Sequence, residues 1–425
     1  MRASNALEHA VTHNEEAQNL STQSNQQFPM EQVAQLHRRL AEEWEILVKR
    51  VRDIPGFQDL FQPKKFTQLC SAAHRGPVVV VNVHKRRCDA LVVMAGLNEV
   101  MHIPLERLSY EKARHLHQSL NQLLSAGGIC DSPTQGVGFP HILSELWTCV
   151  AKPVLDSLAF PASLKADPPR IWWCLTGPLG FLPIHAAGLY NQSAVGFNVS
   201  DYVISSYTLT LSLLIDAVEY HKKHRNFRGL LAVSQLNTPG QSPLPNTTTE
   251  VTRIQRQARG LSVRVLEGPA ASVESVMQGM GTCSWVHFAC HGIQDTITPT
   301  KSALYFHDGC LELSTVISKS FSNADFAFLS ACHTARGDDT LSEEAVHLAA
   351  GLMLAGYRSV IGTMWSIVDA DAPVIANHVY SNLFDDTEPD SAKAALAMHR
   401  AVKLLRQQRG DYSFMSWVPW IHMGI

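Results

Sequence analysis

Two short segments hold the residues best suited to chemistry: WVHFACHG at 285–292 and FAFLSACHTARGD at 326–338. Each is an apolar, β-type run that breaks into a polar, glycine-containing stretch, the first at His291-Gly292 and the second at Cys332-His333. A thiol of ordinary pKa, about 8.5, is only a few per cent thiolate at neutral pH, so a neighbouring imidazole activates it strongly. In open α/β sheets functional groups collect just beyond the carboxyl ends of the strands. If the two runs are neighbouring parallel strands that end at these positions, His291 and Cys332 lie side by side and form a Cys/His dyad sufficient for acyl transfer. Gly292 then lets a backbone amide approach the scissile carbonyl, and the Cys332 amide supplies a second oxyanion donor.

Other chemistries fit less well. His333 is a rival base, yet successive strand residues point to opposite faces, which separates it from the thiol. A zinc site at His287-x-x-x-His291 fails because strand residues four apart are separated by about 13 Å. A phosphatase-like cradle fails because Arg336 follows Cys332 after only His333, Thr334 and Ala335. No GxxxxGK[ST] loop supports nucleotide hydrolysis. A lone cysteine or a lone histidine at a strand end reads first as packing. Both at equivalent ends of two successive strong strands, each followed by a polar loop, put the dyad on an equal footing with packing.

The elements that must carry these residues follow from periodicity. Residues 1–28 are rich in Asn, Gln, Ser, Glu and His and read as a disordered lead-in. Apolar positions Val33, Leu36, Leu40, Trp44, Leu47 and Val51 predict an amphipathic helix over 30–52. Short β-type runs at 78–82 and 90–94 predict a hairpin or small sheet, and helical patterns cover 108–125 and 141–158. From residue 168 onward, β-branched or aromatic runs at 171–175, 230–234, 263–266, 285–290, 326–331 and 359–364 alternate with helical stretches at 246–259, 271–280, 341–355, 371–384 and 391–407. That succession predicts an α/β fold, a mainly parallel sheet covered by helices over 166–425, with a helical and small β region over 30–165 packed onto it. Thr340-Leu-Ser-Glu343 has the capping-box pattern, and its helix should stop at Gly356. His185 and His287 read as core histidines, Trp172, Trp173, Trp417 and Trp420 as core fillers, and Asp295 and Ser302 as loop-fixing residues.

Composition bounds the partners. The 425 residues are 45% hydrophobic, enough for a real core, and carry a net charge of -3 with no basic face for nucleic acid. Nine cysteines without a CxxC pair suggest a reduced, intracellular chain. No signal-peptide core or membrane-length apolar run is visible, so a cytoplasmic protein is expected, with the nucleus as the other compartment.

In order along the chain, HFACHG, SALYFHDGCLELS, LSACHTARGD and GYRSVIGTMWSIVDADA resemble the CHAT family of caspase-like cysteine peptidases, related to separases and metacaspases. Upstream, PRIWWCLTGPLGFLPIHAAGLY resembles the family's leading strand segment, and the closing WVPWIHMG is similar to the terminus of fungal members. The resemblance implies a caspase-like fold, His291 as the dyad histidine and Cys332 as the nucleophile of a cysteine endopeptidase. It also points to Trp365-Ser-Ile-Val-Asp369, similar to a separase segment whose aspartate lines the pocket for a basic P1 side chain. Asp371 is a near competitor, and an aspartate opening the helix from about 370 is the structural alternative. A protein substrate and a regulatory protein are the implied partners, with no metal or organic cofactor; the oligomeric state stays open. Family members are associated with tetratricopeptide repeats, and none is visible ahead of residue 35, so a lost array or a piece of a longer protein is expected. The competing class is a latent or non-proteolytic signalling module on the same fold.

Overall fold

The computed structural model describes residues 30–125, 138–162, 167–192, 194–223, 227–295, 298–319, 321–336, 348–385 and 388–425. The proposed lead-in and the capping box at 340–343 lie outside these residues. The chain divides into two compact units, 1–68 and 69–425. In the first, helix α1 (Met30–Arg52) takes the span its spacing predicts, and Arg52 Nε donates to Leu60 O at 2.8 Å.

The second unit is built on strands β1 (Val78–Val83), β2 (Cys88–Val93), β3 (Met101–Pro104), β4 (Arg170–Leu175), β5 (Ile204–Tyr207), β6 (Leu230–Ser234) and β7 (Val263–Glu267). It continues with β8 (Trp285–Asp295), β9 (Ala303–Tyr305), β10 (Cys310–Glu312), β11 (Phe326–Arg336), β12 (Ser359–Thr363) and β13 (Trp420–Gly424). Among the described residues all of these join one mixed sheet. Its helices include α2 (Tyr110–Ser125), α3 (Phe139–Leu146), α4 (Lys152–Ser157), α5 (Leu211–Lys223), α6 (Asn246–Gln257) and α7 (Val273–Thr282). Further along are α8 (Leu313–Lys319), α9 (Leu348–Leu354), α10 (Ala372–Leu383) and α11 (Ala394–Arg409).

The centre is parallel, as the alternating pattern predicts: β7, β6, β8, β11 and β12 run the same way. The hairpin β1–β2 does not pack onto this sheet as expected. It extends it, because β1 pairs in parallel with β4 at Val78↔Trp172 through Val81↔Leu175. Residues of both parities in β1 are buried, Val78, Val79 and Val81 all at 0% exposure, which a free-standing hairpin with one wet face would not achieve. β13 pairs antiparallel with β12, and its residues are buried throughout. Of the tryptophans expected to fill the core, Trp172, Trp173 and Trp420 are fully buried and Trp417 is 4% exposed; Trp285 is fully buried as well.

α9 ends as its sequence demands. Gly356 has φ +120°, and its amide donates to Met353 O at 3.1 Å. A Cβ there would meet Phe321 O at 2.8 Å, so the stop and the close backbone approach need the same glycine.

His185, expected in the core, is only partly buried, but both of its ring nitrogens are satisfied. Its Nε2 donates to Val418 O at 2.9 Å, which leaves Nδ1 to accept from the Tyr207 hydroxyl at 2.7 Å. Burial pulls its pKa down to about 4, with the Val418 carbonyl opposing. The unfolded chain binds the proton near pH 6.5 and the folded chain only near 4, so this contribution to stability is present above pH 6.5 and is lost as the pH falls towards 4. Burial does the same to His399, also to about 4. The urea midpoint should therefore drop between pH 7 and pH 5, reflecting a loss of up to about 2 kcal/mol of stability per histidine. A midpoint flat across that range would contradict the burial of these rings.

Candidate active site

The decisive observation is one of register. β8 and β11 pair in parallel from Trp285↔Phe326 to Asp295↔Arg336, and Cys332 falls opposite His291. Neighbouring strands lie about 4.8 Å apart, so the backbone sets the two residues at adjacent positions of one row. The flanking strands stop short of this row. β6 last pairs with β8 at Ser234↔Ala289, β9 takes over the same edge at Gly292↔Leu304, and β12 last pairs with β11 at Phe328↔Ile361. His291 thus sits where one edge of β8 changes partner, beyond the carboxyl end of β6.

The loop that follows β6 fills that gap. Ser242 O lies 2.7 Å from His291 Nε2. A carbonyl only accepts, so Nε2 carries the proton and Nδ1 is left as the basic nitrogen of the neutral ring. Four residues on, the same segment begins α6, and Asn246 donates through its backbone amide (3.1 Å) and its Nδ2 (2.7 Å) to Asp369 Oδ2. The stretch 242–246 therefore joins the histidine to the carboxylate, although 78 positions separate them in sequence. Asp369 does not open α10, which begins at Ala372; it caps the N-terminus of α6.

Asp371 is placed otherwise. It is fully buried, and Oδ1 accepts from Arg409 Nε at 2.8 Å and meets Arg409 Nη2 at 2.6 Å. The near competitor for a substrate cation is thus already paired and has no exposed surface.

One expectation is corrected. The strands do not end at Cys290 and Ala331 but run on to Asp295 and Arg336. Ala289 O accepts from Gln235 N on the β6 side, and Ser284 O accepts from Phe326 N on the β11 side. Carried along the pleat, this alternation turns the Gly292 amide towards β11 and the Cys332 amide towards β8, into the ladder. Gly292 in one strand and Ala335 in the other are poor strand formers and masked the continued pairing.

Beneath this row lies a layer that the sequence hid. Glu250 of α6 is 1% exposed; its Oε2 accepts from Ser330 Oγ at 3.1 Å, and its Oε1 lies 3.1 Å from His287 Nε2, within ion-pair distance but off hydrogen-bond alignment. His287 Nδ1 meets the Tyr380 hydroxyl at 3.3 Å. The signal was there: Thr247, Glu250, Val251 and Ile254 form the buried stripe of α6, and a glutamate in such a stripe requires partners. Asp295 and Ser302 fix the adjoining turn as expected, Ser302 Oγ accepting from Asp295 N at 3.0 Å.

A family model described as CHAT domain matches residues 141–425, two thirds of the sequence. The chain belongs to the CHAT domain family. Among solved structures, separase from Saccharomyces cerevisiae in complex with securin is similar at 8% identity, with TM-scores of 0.55 and 0.50 in two crystal structures, covering 85% of this CHAT protein. Gingipain R, an Arg-specific cysteine proteinase, is similar at 14% identity over 60% of this chain and 62% of its own, with a TM-score of 0.42. Caspase-1 from Spodoptera frugiperda is similar at 12% identity over 47% of this chain and 85% of its own, with a TM-score of 0.30. The chain spans about a third of the separase chain, 30% and 31% in the two structures. A search of curated proteins finds no match. The CHAT protein therefore has a caspase-like fold. Among the described residues no helix is long and apolar enough to cross a membrane.

Proposed function

We propose that this CHAT protein is a cysteine endopeptidase in which Cys332 attacks the scissile carbonyl and His291 manages the proton. The register pairing of Cys332 with His291 carries this proposal. His291 Nδ1, freed by the Nε2 bond to Ser242 O, takes the thiol proton and returns it to the leaving amine, so the acyl-enzyme forms as the peptide C–N bond breaks. Water then releases the acyl group. Asp369 is the acid for a basic P1 side chain: it is half-buried, and its Oδ2 is held from α6. The amides of Gly292 and Cys332, which face into the β8–β11 ladder, become the oxyanion donors when that ladder opens beyond the 291–332 row. The substrate is a protein, a regulatory protein is the expected partner, and the site of action is intracellular.

A second possibility draws on the same ladder. With β8 and β11 paired to Asp295↔Arg336, both oxyanion amides face into the sheet, the arrangement of a latent enzyme or of a recruiting module. A thiol-reactive peptide carrying a basic P1 residue separates the two. Labelling should be lost in Cys332→Ala and kept in Cys290→Ala, whose parent thiol is fully buried, and in Cys310→Ser, which removes an exposed thiol. Labelling that survives Cys332→Ala, or is absent from the parent throughout, favours the module.

A further inference from the structure

The way Asp369 is held says which basic residue its pocket takes, an inference that rests on the peptidase proposal and refines it. Oδ2 of Asp369 already accepts two hydrogen bonds from one residue, the Asn246 amide at 3.1 Å and Asn246 Nδ2 at 2.7 Å. Two donors occupy both lone pairs of that oxygen. Asn246 is itself fixed, as the first residue of α6, which is tied to α10 by Arg253 to Pro373 O at 3.3 Å and by Gln257 to Asn377 at 2.9 Å. Glu250 ties the same helix to β11 through Ser330.

Arginine outperforms lysine at a carboxylate when its planar fork meets both oxygens at once. Asp369 presents only Oδ1 for this, and a single oxygen serves an ammonium as well as a guanidinium. We infer that Asn246 is a specificity-determining residue: by saturating Oδ2 of Asp369 it makes the S1 pocket a one-oxygen acceptor that takes P1 lysine and P1 arginine alike. Removing the Asn246 side chain frees one lone pair of Oδ2 and restores the two-oxygen face that arginine needs.

The test uses the full chain and two thiol-reactive peptides that differ only at P1, lysine against arginine, with a P1-alanine peptide as reference. The parent should label Cys332 with the two basic probes at rates within about fivefold, and Asn246→Ala should shift the ratio towards arginine by about tenfold. Asn246→Ser, which keeps a short donor, should fall between, and it reports on the site if the alanine variant loses its fold. A parent that strongly prefers arginine, with a ratio unmoved by Asn246→Ala, overturns this inference and leaves the peptidase proposal standing. Equal labelling by all three probes removes Asp369 as the P1 acid, and no labelling of Cys332 by any of them removes the peptidase proposal; either result takes this inference with it.

Discussion

Replacing His291 with alanine should lower cleavage of a basic-P1 peptide by about 10³-fold or more and give the remaining reactivity a steep pH dependence. Two losses combine. Without the imidazole the thiol returns to an ordinary pKa of about 8.5, leaving a few per cent thiolate at neutral pH. Without a general acid the leaving amine must depart unprotonated, a further loss of about 10²–10⁴. The sign of the pH effect separates this from simple misfolding. Thiolate forms as pH rises, so alkylation of Cys332 in the variant should climb about tenfold per unit up to about pH 8.5, whereas a dyad-activated parent should be nearly level from pH 6 upward. Parent and variant are compared by single-turnover labelling, which does not require product release. Similar rates and similar pH profiles would show that the register pairing of 291 with 332 has no chemical consequence, and would leave the fold serving recruitment alone.

The central pairing was legible because its causes are local. Trp285-Val-His-Phe-Ala-Cys290 and Phe326-Ala-Phe-Leu-Ser-Ala331 are apolar runs of equal length, each followed by a titratable residue, and strands of one direction align such residues. What followed them was hidden, since Gly292 and Ala335, both depleted in strands, interrupt the β-branched signal of Ile293 and Thr334, and the segments are held as strand by a long parallel ladder. β9 and β10 are three residues each and depend on their mutual pairing and on the edge of β8. β13 was missed because its burial on both faces removes alternation. Asp369 illustrates the other limit. Its chain position beyond β12 was clear, but the residue that holds it, Asn246, belongs to an earlier helix, and a contact across that sequence distance leaves no local pattern. Asp371, two residues further on, looked equivalent in sequence and differs because it is fully buried and paired with Arg409, neither of which leaves a local pattern.

Glu250→Ala should be the most destabilising single change in the layer below the site, by about 3–5 kcal/mol. The carboxylate is buried at 1% exposure and faces two partners that cannot reach water: His287 is 0% exposed and Ser330 5%. Truncation leaves the Ser330 hydroxyl without its acceptor and His287 without its counter-group, and buried polar groups left in this way each cost about 1–3 kcal/mol. Tyr380 cannot compensate. Burial, and then the charge of Glu250, hold its phenol well above the ordinary range, so it remains a hydroxyl donor towards His287 Nδ1. Glu250→Gln keeps an oxygen for Ser330 and should lose less than half as much. The effect should also reach the substrate. α6 carries Asn246 at its first position, and Ser242 precedes it by one short turn, so a helix that rocks on the sheet loosens the hold on Asp369 and on His291 together. The glutamine variant, folded at assay temperature, should therefore raise KM for basic-P1 peptides more than it lowers labelling by a small alkylating reagent, which needs the thiol but not the pocket. An unfolding free energy for Glu250→Ala equal to the parent's to within about 0.5 kcal/mol, the range of ordinary surface changes, would mean that apolar packing alone anchors α6 to the strands bearing His291 and Cys332.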